Sequence, residues 1–218
     1  MNTVFTLSAG EELPALTDAF AREHAGWDVE PLRAHVTALA HAFVDASVQG
    51  LVLGLITDGV TVSSFTESLM RGLASLVESV AGKLVHQVLK KAPRDVLMDA
   101  GQFFTSRVAR LPDVAQPVIA VPMTPDNAAA LQLAIESVEK DALVRAMAGV
   151  VDDSLDYLFV AAFAVIPVGP LTRRAVDAGG HAMRSGGKSA SARAIRNASN
   201  DEHKDLADFI ARRRAELP

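Results

Sequence analysis

Asp152, Asp153 and Asp156 set carboxylates at i, i+1 and i+4. On a helix two of them share a face one turn apart, and paired carboxylate oxygens suit a hard divalent cation. The chemistry implied is the binding of such a cation, with Asp152, Asp153 and Asp156 as candidate metal ligands. A second group is basic. Arg184, Lys188, Arg193 and Arg196 lie in a Gly/Ser-rich stretch and Arg212 and Arg213 close to the C-terminus; these six are candidate binding residues for an acidic partner. Within that group, Ala182 to Ser189 reads A-M-R-S-G-G-K-S, a permissive form of the phosphate-binding loop. Such a loop follows a buried strand and opens a nucleotide-binding sheet. Arg173 to Ala178 is not strand-like and the chain beyond Ser189 is short for a sheet, so a linker is the expected state of this run.

The D-D-x-x-D run resembles the aspartate-rich motif of the isoprenoid synthases, and that resemblance implies magnesium and diphosphate at Asp152, Asp153 and Asp156. It goes no further along the chain: Ser63 and Glu67 have the i, i+4 spacing of the family's second metal motif, but Gly59 stands where its first ligand belongs. The competing reading is an acidic start to an apolar helix, favoured by the helix dipole. The histidines spell no metal signature, since His35 and His41 are six apart and neither H-E-x-x-H nor E-x-x-H occurs. His41 and Asp45 fit a helix-surface hydrogen bond. His181, Lys188 and His203 include the types used in phosphodiester cleavage, without a spacing that joins them. With no Cys, thiolate zinc sites, iron–sulfur clusters and disulfides are excluded. No cofactor is expected, and enzyme activity stays open.

Charge is segregated. Residues 1–170 hold 11 Lys/Arg against 20 Asp/Glu, and 171–218 hold 10 against 6, giving −9 and +4 within a net −5. A basic appendage on an acidic body suggests a protein partner or self-association, or docking on its own body. Nucleic acid is a weaker expectation, because 179–200 carries no aromatic residue on which bases stack. The first ten residues contain no Lys or Arg, so no charged leader is read there and a cytoplasmic location is expected.

The elements that must position these groups are helical. The expected fold class is all-α, a single-domain bundle of six to eight helices in 1–178, followed by a flexible Gly/Ser/Arg linker at 179–200 and a basic amphipathic helix at 201–218. Asp28 and Pro31 open a long helix at about 29–57, stopped at Gly59; Ser64 and Glu67 open another at 64–91. A short turn joins them as an antiparallel hairpin. Ala34, Ala38, Ala42, Ala46, Gly50 and Gly54 form a strict i+4 row of small residues on the first helix, expected to meet the second most closely near Gly50, Gly54 and Gly72. Thr124 and Pro125 start a further helix that stays amphipathic as far as Ile166, with Gly149 as a break. Pro117 to Pro122 is the one strand-like run, and its bracketing prolines favour an extended linker.

Two stretches lack charge, Ala46 to Thr57 and Tyr157 to Thr172. Neither reaches the ~20 apolar residues of a spanning helix. Leu155 to Ile166 is apolar on every face and must be surrounded by other helices or covered by a partner. Three functional expectations follow. The first is a non-catalytic interaction or regulatory protein that binds another macromolecule. The second is a membrane-active or lipid-binding bundle that releases Leu155 to Ile166. The third is an enzyme of phosphate or diphosphate chemistry built on the aspartates. An elongated apolar cavity, a polar pocket or no cavity would separate them.

Overall fold

A computed structural model describes residues 2–54, 64–112, 114–166 and 168–217. In chain order the elements are β1 (Asn2–Ser8), α1 (Glu12–Glu23), α2 (Val29–Val48) running into a π-helical segment Gln49–Leu53, α3 (Ser64–Leu89) and α4 (Arg94–Thr105). Then come β2 (Val108–Ala109), β3 (Val118–Pro122), α5 (Pro125–Ser137), α6 (Lys140–Ser154) with a second π-helical segment Leu155–Val160, α7 (Ala161–Val165), α8 (Pro170–Asn197), α9 (Asn200–Arg213) and β4 (Arg214–Leu217). The fold is a mostly helical single domain with a small sheet.

The sheet corrects the strictly helical expectation. Its order is β2-β3-β1-β4, with every pairing antiparallel. Val118 to Pro122 is thus a central strand and not a linker. Its prolines do not interrupt pairing, because β2 reaches only Val118 and Ile119 and leaves Pro122 with a single neighbour, Val4. Val4, Phe5, Thr6 and Leu7 are all buried, so both faces of β1 are covered. Phe5 meets Phe209 of α9, and the Thr6 hydroxyl donates to the Arg213 carbonyl at 2.9 Å.

The antiparallel hairpin of α2 and α3 is present. Arg33, near the start of α2, donates to the carbonyls of Leu89 and Ala92 at the far end of α3, and Gly82 lies against His41. The turn at Asp58 and Gly59 and the helical residues expected up to Thr57 lie outside the described residues. The small-residue row meets α3 at its C-terminal end, where Gln49–Leu53 packs on that helix, but the same end also serves other elements. Ala34 is exposed and Ala42, Ala46, Gly50 and Gly54 are buried, the drift of about 40° per step that i+4 spacing imposes on a 3.6-residue helix. Where the row is buried it also faces β1 and α9: Gly50 abuts Leu7 and Gly54 abuts Phe209, while among the described residues nothing comes within 4 Å of a Cβ built on Gly72.

Three further boundaries differ. The long helix expected through Gly149 breaks instead at Val138, whose left-handed backbone (φ 56°) ends α5. Gly149 continues α6 and lets Asn127 pack on it; a Cβ there would lie 2.5 Å from the Asn127 Oδ1. The stretch expected to be a flexible linker belongs to α8, a 28-residue helix with Pro170 at its start. The last helix ends at Arg213, where the chain turns into β4.

Candidate ligand-binding cavity

α6 and α8 run antiparallel, and their facing sides bring together the two charge groups read from the sequence. Arg184 pairs with Asp152 at 3.3 Å and with Asp156, and Lys188 pairs with Asp152 at 2.5 Å. The hydrogen bond from Arg184 to Asp156 raises the guanidinium pKa above its ordinary value. Asp153 turns the other way. It is buried, and its Oδ2 accepts from the Thr124 backbone N–H at 2.9 Å, the Thr124 hydroxyl at 3.3 Å and the Asn127 amide at 2.9 Å.

The three carboxylates therefore do not converge. A divalent cation at Asp152 and Asp156 would have to displace Arg184 and Lys188, and Asp153 is committed to the start of α5. No cluster of three or more His, Asp or Glu with metal-holding geometry occurs among the described residues. Of the other basic candidates, Arg193, Arg196 and Arg212 are exposed, the Arg196 carbonyl accepts from Lys140, and Arg213 lies over the Phe209 ring at 5.6 Å. Ala182 to Ser189 is helical, so no phosphate-binding loop forms there. His203 is buried, with Nε2 2.8 Å from the Ile195 carbonyl, and His35 Nε2 lies 2.9 Å from the Leu16 carbonyl.

Beside the ion pairs lies a cavity of about 200 Å³. Phe43, Val44 and Val48 of α2, Leu51 of the first π segment and Ala81 of α3 form one side. Val151 and Ser154 of α6 and Leu155, Leu158 and Phe159 of the second π segment form another. The third is α8, which contributes Gly179, Ala182, Met183, Gly187, Ala190 and Ser191. The composition that reads as a linker is thus what hollows the bundle. Small residues recurring every three or four positions give α8 a face with little bulk, and the space stays open. That helical spacing, without an interrupting proline, was the signal available for both helix and cavity.

The lining is almost wholly apolar. Its polar members are Ser47, Ser154 and Ser191; the Ser47 hydroxyl donates to the Phe43 carbonyl at 2.7 Å, and the buried Ser154 Oγ has no hydrogen-bond partner among the described residues. Both π-helical segments border the cavity, and the wider turn of a π segment re-aims side chains and is found often at functional sites. Arg107 braces the second segment. Its Nε donates to the Tyr157 carbonyl at 3.3 Å, and its guanidinium lies between the Phe103 and Tyr157 rings, 3.4 and 4.4 Å from their centroids. Burial lowers the Arg107 pKa.

A smaller cavity of about 50 Å³ shares Phe43, Val44, Ala81, Leu158 and Phe159 with the first and extends to Phe163 and Ile166. The two lie side by side along α2, with those five residues between them. No protein-family model, curated protein or solved structure matches this chain.

Proposed function

We propose that this protein is a binding protein whose helical bundle takes up a small apolar molecule or the end of an acyl chain. The observation that supports this reading is the apolar cavity between α2, α6 and α8, about 200 Å³ in volume. A cavity of about 150 Å³ with such a lining stays dry and accepts benzene, so this one suits a somewhat larger apolar guest. The Ser154 hydroxyl offers one polar atom to fix the guest's orientation. Lipid binding, the second of the functional expectations, gains from the apolar lining; the diphosphate reading gains nothing from aspartates already paired with Arg184 and Lys188.

The test is titration of the purified protein with decanoate, read by calorimetry, alongside Ala182→Phe. Ala182 lines the cavity and is exposed, so it stands at the mouth, and a phenyl ring there closes the entrance. Saturable binding at one site by the wild type, lost in Ala182→Phe with the thermal midpoint unchanged, is the expected result. A wild type that takes up no decanoate, or a variant that binds it equally well, overturns the reading.

A further inference from the structure

We propose that the apolar tip formed by Val160 and α7, beside the start of α8, docks on the surface of an anionic lipid bilayer. The proposal begins from a residue pattern that the fold does not absorb. Tyr157 to Thr172 contains no Asp, Glu, Lys or Arg. A stretch of that composition is expected in the centre of a bundle, yet within 155–166 only Ala162 and Ile166 are buried. Val160 is 49% exposed and Val165 38%, with Ala164 exposed between them. Positions 160 and 164 are one turn apart on the same side of the helix, and Val165 carries the exposed apolar surface further round it.

Two observations select a bilayer as its cover. The first is charge. The α6–α8 register runs Asp152 to Lys188, Asp156 to Arg184 and Phe159 against Gly180, so α8 returns towards the tip as its numbers fall. Arg173 lies seven residues, two turns, before Gly180 on the same face. It brings an exposed cation, joined by exposed Arg174, to the end of the uncharged stretch. Exposed Lys90 and Lys91 directly follow Leu89, which lines the smaller cavity together with Ile166. These cations stand on a chain of net charge −5, with exposed Asp177 on α8 and exposed Asp95 and Asp99 on α4, which packs on α7, as the carboxylates nearest in sequence, so the four cations outnumber them. Apolar side chains flanked by Lys and Arg match phosphate headgroups above acyl chains.

The second observation is continuity. The smaller cavity borders the large one across Leu158 and Phe159 and reaches Ile166 at the base of the tip. A lipid-derived guest drawn from the bilayer would still enter the large cavity by the mouth at Ala182; that clause rests on the cavity reading, whereas docking does not. No helix among the described residues is long and apolar enough to cross a membrane, which suits attachment at the interface.

The experiment is flotation of the full chain with phosphatidylcholine vesicles, with and without phosphatidylglycerol, at low and high salt. The wild type is expected to float with the phosphatidylglycerol vesicles at low salt. Val160→Asp/Val165→Asp is expected to reduce the bound fraction about tenfold, with helical content and decanoate binding retained. A wild type that stays at the bottom with both vesicle types, or a double variant that floats as well as the wild type, overturns docking. Arg173→Ala/Arg174→Ala gives an independent arm, in which loss of the preference for phosphatidylglycerol is expected and an unchanged preference overturns the assignment of a bilayer. Because decanoate titration needs no vesicle, failure of the cavity reading and failure of docking are separately visible.

Discussion

Gly50 lies directly against Leu7: a Cβ on the glycine would sit 2.7 Å from the leucine Cβ and 3.3 Å from its Cα. The end of the small-residue row is therefore the seat of β1 on the bundle, and the tolerance for bulk there is near zero. Gly50→Ala is expected to cost about 1–3 kcal/mol through overpacking. Gly72→Ala, at an exposed position of α3 where no described residue comes within 4 Å of an added Cβ, is expected to stabilise by about 0.5–1 kcal/mol through helix propensity. Urea unfolding of both variants checks the pair, and shifts of the same sign would sink the assignment.

Asp153 accepts three hydrogen bonds that hold α5 on α6, and its negative charge sits at the start of α5, where the helix dipole favours it. Asp153→Ala removes the acceptor of three partly buried hydrogen bonds and should lower stability by about 1–2 kcal/mol. Manganese binding followed by electron paramagnetic resonance supplies the contrast. If the variant unfolds at the wild-type urea concentration but loses a manganese site, the aspartate serves a metal and not the fold.

Arg184 and Lys188 meet Asp152 and Asp156 on a flank of α6 and α8 that is about one-third exposed, so solvent screens these pairs. Arg184→Ala is expected to cost only about 0.5–1 kcal/mol at low salt. The difference from wild type should shrink at molar salt, where the Debye length falls to about 3 Å. A penalty independent of salt would assign the effect to lost packing of the arginine stem.

Ser199 and Glu202 form a reciprocal capping box at the start of α9, and the Ser199 backbone N–H holds the Glu202 carboxyl below its ordinary pKa. A carboxyl with a lowered folded pKa contributes stability that is complete above its unfolded value and lost as pH falls through the folded one. The gap in unfolding free energy between wild type and Glu202→Gln should therefore be present at neutral pH and close as the solution is made acid. Ser199→Ala, which removes the other half of the box, is expected to cost about 1 kcal/mol. Guanidinium titrations at several pH values check both.

Helix starts were the legible part of this chain, because they depend on local chemistry. Thr124 before Pro125 does stand at the start of α5, and Asp28 at the start of α2. Strands were hidden for the opposite reason. Thr3 to Leu7 is a short apolar run without alternation, and only pairing with β3 and β4 marks it as a strand. Glycine misled twice. Gly149, Gly180 and Gly187 suit breaks and linkers by local cost, but Asn127, Phe159 and Val151 pack where their missing Cβ atoms would be, so tertiary contact overrides propensity. The charge groups were found by type, and their mutual neutralisation depends on a helix–helix register that no local pattern encodes. The cavity was missed altogether, since space is defined by what several elements fail to fill.

The pairing of β1 with β4 has a consequence for the route to this fold. The Thr6 hydroxyl waits for the carbonyl of Arg213, a partner 207 positions further along the chain. Until β4 arrives, β1 keeps one bare edge, the ready template for strand exchange between molecules. Helices close on neighbours a few turns away and form fast, whereas this strand pair closes a loop of nearly the whole described chain. The sheet is then the last part to be completed during folding. Shearing β4 away would be an early opening, visible as fast amide exchange at Asn2–Phe5 well before the helices yield.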